Sequence, residues 1–332
     1  MNTHLQTDAL IKDGKTAKFN VILDKLSICF NDPNAENVKA TYGLLISDKI
    51  TKFTPGISVT RNPRYMASCR LRLPFDAPAQ ETVCFEAGPT RPGQASYRLE
   101  FNPSKLSKLG LADLIVFLNS FIDADPLEFF RGSRVTRCDI AIDLLGHRLE
   151  DVIVRSSRLQ KHGVYADRYG TVQTTYLGTP RSRCVVAYDK PLEGSLVTRL
   201  RLECRLKPRC LGHQLAQLKD PFAGIQLLRA GFSEGSGIGV PADFIADSIR
   251  IGGLKRAMVP LDASQRRALK KAYKDEKSLL PNLDEAWAAW PDTLADYGLG
   301  KELGAVPVIA PGTGLAVNYN PVSPLVSASP VN

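Results

Sequence analysis

The chain has 332 residues, of which 44% are hydrophobic and 23% are charged. This length and balance exclude an intrinsically disordered or fibrous chain and predict a soluble globular protein of one large domain or two ordinary ones. The formal net charge of +9 predicts a polyanionic partner, although an acidic membrane surface or no specific partner would also fit.

The cysteine pattern and the N-terminal residues predict a cytoplasmic location. Seven cysteines are present, an odd number, and none forms a C-x-x-C pair. This pattern favours reduced thiols in a cytoplasmic protein over a disulfide framework or a structural zinc site. The first residues, M-N-T-H-L-Q-T-D, lack the apolar core of a signal peptide. No uncharged apolar run is long enough to cross a bilayer, so no membrane association is expected.

The first part of the chain predicts strands followed by a helix. After a flexible N-terminus at residues 1–17, Phe19–Phe30 reads as a strand and Ile50–Gly88 as a series of hairpins. Ala95–Phe101 is the next strand, and Ser104–Ile122 follows as a helix with an apolar stripe near period 3.6.

Thr136–Leu144 (T-R-C-D-I-A-I-D-L) is the most informative predicted strand. Side chains alternate between faces along a strand, so Arg137, Asp139 and Asp143 share one face, and only the small Ala141 separates the aspartates. Two carboxylates this close repel, and a divalent cation or basic partners would relieve the repulsion. A half-buried strand with a solvated outer face is the plain alternative.

The second part repeats the rhythm of the first. Arg148–Lys161 is predicted as a helix and Cys210–Gly231 as an amphipathic helix. The strands predicted between them are Val164–Asp167, Thr171–Leu177, Arg183–Lys190 and Val197–Lys207.

These elements predict an α+β fold at residues 18–231. It consists of two related lobes, about 18–130 and 131–231, each a mainly antiparallel sheet with helices packed on one face. A basic helical region at 232–304 and a disordered tail at 305–332 complete the organisation.

Tyr188 and Lys190 share a face of the strand Arg183–Lys190. A lysine ammonium beside a phenol favours the phenolate, which would assist attack on phosphorus. The pair is also ordinary in a strand, where tyrosine is common.

Glu203 stands among cations in R-L-R-L-E-C-R-L-K. It either neutralises its neighbours or provides a third metal ligand beside Asp139 and Asp143, and an oxygen-only ligand set selects Mg²⁺ or Mn²⁺. The cations that share its face, and that would hold a phosphate backbone, are Arg199, Arg201, Arg205 and Lys207.

Asp262–Leu280 is predicted as a basic helix that begins with a capping box formed by Asp262 and Gln265. Arg266, Lys270 and Lys274 make it either a solvated face or a surface that tracks phosphates.

The order of several segments resembles the rolling-circle replication initiators of small plasmids and filamentous phages, the Rep-trans or replication initiation factor family. The segments, which lie within about residues 20–230, are L-D-K-L-S-I-C-F at 23–30, Y-R-L-E-F-N-P at 97–103, T-R-C-D-I-A-I-D-L at 136–144, T-Y-L-G-T-P-R-S at 175–182, V-A-Y-D-K at 186–190 and R-L-E-C-R-L-K at 201–207.

The resemblance implies a metal-dependent DNA-nicking and strand-transfer enzyme. By it, Tyr188 would attack origin DNA, stay attached to the 5′ phosphate and release a 3′ hydroxyl. Asp139, Asp143 and Glu203 would bind Mg²⁺ or Mn²⁺. Lys190 and Arg201 would assist at the phosphate, and Tyr176 is the rival nucleophile.

The expected partners are a double-stranded origin with a single-stranded nick site and a host helicase and polymerase. A homodimer is left open. Two other functions also stay open: a non-catalytic DNA-binding regulator built on the same fold, and a scaffold protein of a mobile element.

Overall fold

A computed structural model describes residues 11–12, 15–16, 19–47, 57–75, 81–122, 126–159, 161–179, 183–191, 198–231, 238–276, 280–297 and 299. The strands are β1 Ile11–Lys12, β2 Lys15–Thr16, β3 Phe19–Phe30, β4 Ile57–Asn62, β5 Tyr65–Leu73, β6 Glu81–Pro89, β7 Tyr97–Phe101, β8 Arg134–Leu144, β9 Val152–Ser156, β10 His162–Ala166, β11 Val172–Gly178, β12 Cys184–Pro191, β13 Thr198–Leu206 and β14 Ile225–Arg229. The helices are α1 Ala35–Ile46, α2 Lys108–Phe121, α3 Pro126–Gly132, α4 Ala242–Ala257, α5 Ala263–Glu276, α6 Leu283–Ala288 and α7 Trp290–Asp296, with a 3₁₀ helix at Gly212–Gln217.

One ten-stranded antiparallel sheet forms the frame, in the order β10-β11-β12-β13-β8-β3-β7-β6-β5-β4. The long strands β3 and β8 pair at its centre. Outward from β3 the strands are β7, β6, β5 and β4, and outward from β8 they are β13, β12, β11 and β10. On both sides the strands therefore follow one another in the reverse of their chain order. The α+β prediction with a large antiparallel sheet is therefore confirmed. Because the sheet is continuous, the two separate lobes stay a prediction.

The main hydrophobic core covers one face of this sheet. It contains alternate residues of the strands, such as Leu71, Leu99 and Ile140, together with Leu114 of α2 and Trp290 of α7. Along β7 one residue in two is buried, as the period of a strand requires when only one face is covered. In β13 the six residues from Arg199 to Cys204 are all buried, on both faces of the sheet. The opposite face, free of this core, carries the predicted site residues.

A second, smaller core lies under the C-terminal helices. Ile245 and Ile249 of α4 pack with Leu269 and Tyr273 of α5, and Ile153 of β9 joins them. β9 and β14 form a separate two-stranded sheet below these helices. None of the helices described is long and apolar enough to span a membrane.

Two predicted helices are wrong. The region 148–161 contains strand β9 instead, because its V-I-V run is β-branched and pairs with β14. The region 210–231 contains the 3₁₀ helix and β14, since Pro221 and Gly224 interrupt the apolar stripe and Gly224 adopts a positive φ of 80°. Helix α1 was not predicted; Asn34 caps its N-terminus by accepting from the Glu36 and Asn37 amides.

The capping box of α5 is confirmed. Asp262 Oδ1 accepts from the backbone amides of Ser264 and Gln265, and Gln265 Oε1 accepts from the Asp262 amide at 3.0 Å. The predicted tail at 305–332 and residues 1–10 lie outside the described residues.

Candidate functional site

Strand register brings the predicted acids and phenols to the same face of the sheet. Arg201 of β13 lies opposite Asp143 of β8 and Tyr188 of β12. One row along, Glu203 lies opposite Ala141 and Val186. Directly opposed residues share a face, so this surface, the charged face, carries Asp139, Asp143, Tyr176, Tyr188, Lys190, Arg199, Arg201, Glu203 and Arg205.

Asp143 is fully buried and held by two arginines. Arg201 donates from Nε to Oδ1 at 2.5 Å and from Nη2 to Oδ2 at 2.8 Å. Arg199 Nε forms an ion pair with Oδ2 at 2.8 Å. Both arginines are themselves buried, so they act as counter-ions of Asp143. The predicted DNA contact of Arg199 and Arg201 stays a prediction.

Asp24 is a further carboxylate of this cluster that sequence reasoning missed. It accepts from Arg201 Nη1 at 3.0 Å. The register between β3 and β8 shifts between Leu23 and Lys25, and this bulge lets Asp24 and Lys25 both reach the charged face. The signal was in the sequence: two adjacent polar residues between Leu23 and Leu26 break the alternation of the strand.

Asp139 and Glu203 are also paired with arginines. Arg137 donates to Asp139 from Nε at 2.9 Å and from Nη2 at 2.6 Å, and Arg205 Nε donates to Glu203 Oε1 at 3.0 Å. Burial raises the pKa of Asp139, while Arg137 opposes this shift.

The predicted metal ligands do not form a cation site in this arrangement. Asp139, Asp143 and Glu203 surround the Ala141 position, but guanidinium groups occupy their oxygens. Across the described part of the chain, no group of three or more His, Cys, Asp or Glu side chains is arranged to hold a metal ion. Mg²⁺ or Mn²⁺ therefore stays a prediction that requires these carboxylates to change partners.

Cations overlie the carboxylates on this face. The side chain of Arg205 is 58% exposed above a Glu203 side chain that is 8% exposed. Arg137 is 35% exposed above Asp139 at 3%. A polyanion that approaches this surface meets guanidinium groups first, because the negative charges lie beneath them.

The Tyr188 hydroxyl donates a hydrogen bond to Glu203 Oε2 at 3.0 Å. Burial, then the negative charge of Glu203, raises the pKa of Tyr188 to about 12. The expectation that Lys190 promotes the phenolate is thus wrong for this state, since Glu203 keeps the proton on the phenol. Burial and the nearby Arg201 charge lower the pKa of Lys190 itself.

We expect Tyr188 to ionise near pH 12 and Glu203→Gln to lower this value, because the substitution removes the adjacent negative charge. The folded-state pKa lies above the unfolded value of about 10, so the stability this group contributes is present below pH 10 and is lost as pH rises towards 12. The difference in tyrosinate absorbance between the protein and its Tyr188→Phe variant measures the ionisation. A Tyr188 that titrates at its ordinary pH would contradict the placement beside Glu203.

Tyr176, the rival nucleophile, has a different environment. It lies opposite Val186 on the charged face, is exposed, and packs edge-on against Tyr165 with ring centroids 5.3 Å apart. Its role in catalysis stays a prediction.

The structure of the hairpin requires a glycine at position 178, in the Y-L-G segment. Gly178 has a φ of 88°, and a Cβ there would lie 2.1 Å from the Arg183 carbonyl oxygen across the hairpin. We expect Gly178→Ala to destabilise the fold by about 2 kcal/mol or more. Gly170→Ala is the matched control: it has a φ of 85° but no atom within 4 Å, so it should cost about 1 kcal/mol. Urea unfolding of both variants checks this; equal losses would contradict the role of the close approach.

The remaining basic residues are exposed. Lys207 follows β13, and Arg266, Lys270 and Lys274 lie on α5, which buries only the narrow stripe of Leu269 and Tyr273. Arg266 donates to the Met258 and Val259 carbonyls.

Comparisons with known proteins identify no family. No model of a known protein family matches the chain, and no curated protein matches it. Among solved structures, the di-domain ARO/CYC BexL from the BE-7585A biosynthetic pathway is similar at 9% identity and a TM-score of 0.12, over 79% of this chain and 95% of that one. That likeness is too low to support an argument about fold or function.

Proposed function

We propose that the protein is a rolling-circle replication initiator that nicks and rejoins one strand of origin DNA through a 5′-phosphotyrosine intermediate on Tyr188. The observation that carries the proposal is the hydrogen bond from the Tyr188 hydroxyl to Glu203, on a face where cations overlie carboxylates. The order of sequence segments shared with the Rep-trans family is consistent with it.

The proposed step is a transesterification. Tyr188 Oη forms a bond to the scissile phosphorus as its proton passes to Glu203 Oε2, and the bond from phosphorus to the 3′ oxygen breaks. The released 3′ oxygen takes up a proton. One phosphodiester bond replaces another, so no ATP is consumed, and the reverse reaction rejoins the strand.

Charge complementarity supports a DNA substrate. Lys190 has no ion-pair partner among the described residues and sits one row from Tyr188, where its ammonium could neutralise a phosphate oxygen. A dependence on Mg²⁺ or Mn²⁺ is part of the proposal because the three acids share a face, and a metal ion would take the place of the arginines that pair with them.

The wider setting is proposed on the same basis. The basic helix α5 would contact the duplex part of the origin, and the charged face would take the single-stranded nick site. A cytoplasmic location, a host helicase and polymerase as partners, and action as a homodimer complete the proposal.

A nicking assay tests the proposal. The protein is incubated with supercoiled plasmid that carries its own replicon, with Mg²⁺, with Mn²⁺ or with EDTA. We expect open circles with protein covalently attached to the 5′ end in the metal-containing samples. Open circles without attached protein, or intact plasmid in every sample, would refute the proposed chemistry.

A non-catalytic DNA-binding regulator is the second candidate. It is favoured by one observation: arginines pair with the predicted metal-binding carboxylates. Salt-dependent binding to origin DNA without any nicking would select this candidate.

A further inference from the structure

We infer that the charged face continues across the first half of the sheet as a binding track for single-stranded DNA, which ends at Arg70 and Arg72 of β5. This inference rests on the proposed function, because it concerns the same substrate. It gives a role to strands β5 to β7, where no site residue is predicted from the sequence.

The strand register places the track on the same face as Tyr188. Arg70 lies opposite Cys84 of β6, which lies opposite Glu100 of β7. Glu100 lies opposite Ser27 of β3, and Ser27 lies opposite Arg137 of β8. An unbroken row of opposed residues therefore joins Arg70 to the site, and Arg72 lies in the next row.

The layering of charge seen around Glu203 continues on this face, in the row that contains Arg70 and in its neighbours. Arg98 donates to Glu86 at 2.7 Å, and its side chain is 29% exposed whereas that of Glu86 is 3% exposed. Lys25 pairs with Glu100 at 2.7 Å. In each of these pairs the cation is more exposed than its carboxylate, by a wide margin for Arg98 above Glu86 and by a small one for Lys25 and Glu100.

Arg70 and Arg72 are the exposed cations of β5, in two neighbouring rows of this face. Both are exposed, while the alternate residues Cys69, Leu71 and Leu73 are buried in the core. No ion-pair partner for either occurs within the described ranges. Two exposed arginines on one strand face suit the phosphate groups of an extended strand.

Exposed aromatic rings occupy the other end of the face. Tyr165 lies opposite Thr174, which lies opposite Tyr188, so the packed pair of Tyr165 and Tyr176 belongs to this surface. Phosphate-binding cations with aromatic rings for bases are the usual composition of a single-strand site.

The length of the track fits one extended segment of DNA. Six strand spacings separate β12, which carries Tyr188, from β5, and at ~4.8 Å each this is roughly 29 Å. A short oligonucleotide at Tyr188 would not reach Arg70, whereas a longer one would.

The test compares Arg70→Ala/Arg72→Ala with the control Arg64→Ala/Arg91→Ala. The control removes the same charge from exposed arginines in the turns that flank β5 and β7. Fluorescence anisotropy measures binding of single-stranded oligonucleotides of about 4 and about 16 nucleotides, at about 50 mM and about 200 mM salt. Thermal unfolding verifies that each variant is folded.

The salt slope is the change in the logarithm of the binding constant with the logarithm of the salt concentration. We expect Arg70→Ala/Arg72→Ala to lower its magnitude on the longer oligonucleotide by about 1.4, because two phosphate contacts are lost. Between the two salt concentrations the loss of affinity should then be about sevenfold smaller than for the unmodified protein. The shorter oligonucleotide and the control variant should show no change, and Arg70→Lys/Arg72→Lys should restore the slope. An unchanged slope on the longer oligonucleotide, or an equal fall in the control, would overturn the inference. The adduct assay on the unmodified protein separates the two claims: a track without any adduct would refute the proposed function and leave the inference standing.

Discussion

Replacement of Tyr188 by phenylalanine should abolish the covalent protein–DNA adduct and lower nicking by about a thousandfold or more, while DNA binding changes little. The substitution removes only the hydroxyl that attacks phosphorus and that donates to Glu203. The ring is partly exposed, and its loss of one hydrogen bond should not unfold the protein. Denaturing gels after incubation with a labelled origin oligonucleotide measure the adduct, and anisotropy measures binding.

Tyr176→Phe is the matched control for this experiment. Tyr176 shares the face but makes no hydrogen bond to Glu203, and its ring contacts Tyr165. We expect it to keep the first nicking step. If the adduct survives in Tyr188→Phe and disappears in Tyr176→Phe, the nucleophile has been assigned to the wrong tyrosine.

Arg201→Leu should destabilise the folded protein by about 3–5 kcal/mol, because it leaves Asp143 as a buried charge without its main partner. Arg199 remains 2.8 Å from Asp143, which should hold the loss within this range. Denaturant unfolding measures the change in the free energy of unfolding.

Arg205→Leu provides the comparison on the same strand. Arg205 is 58% exposed where it pairs with the buried Glu203, and Glu203 keeps the hydrogen bond from Tyr188, so we expect Arg205→Leu to cost about 1 kcal/mol. The double variant Asp143→Leu/Arg201→Leu should recover only part of the stability lost by Arg201→Leu, since it removes the buried charge of Asp143 but leaves the buried Arg199 without its partner. Equal losses for Arg201→Leu and Arg205→Leu would contradict the structural role of the buried pair.

The face that carries the site was predictable because it depends on local periodicity. The alternation in 134–144 and 198–206 places the acids, the arginines and Tyr188 on a common side once the strands are antiparallel neighbours. The short-range capping signal at Asp262 was equally reliable for the same reason.

The sequence fails to predict the features that depend on contacts between distant parts of the chain. Val152–Ser156 carries the β-branched V-I-V run, but its partner β14 lies about 70 residues further along the chain, and the sequence of neither segment reveals that pairing. The pairing of each carboxylate with a particular arginine depends on register between distant strands, as between Asp143 and Arg201. The role of Asp24 depends on a bulge that shifts one strand against the next.

Mass spectrometry of the peptide that remains attached to DNA, after incubation of the protein with an origin oligonucleotide and Mg²⁺ or Mn²⁺, tests the central claim most directly. The account predicts a nucleotide-modified peptide that carries its added mass on Tyr188. A modification on any other residue, or an unmodified Tyr188 peptide beside nicked DNA, would contradict it.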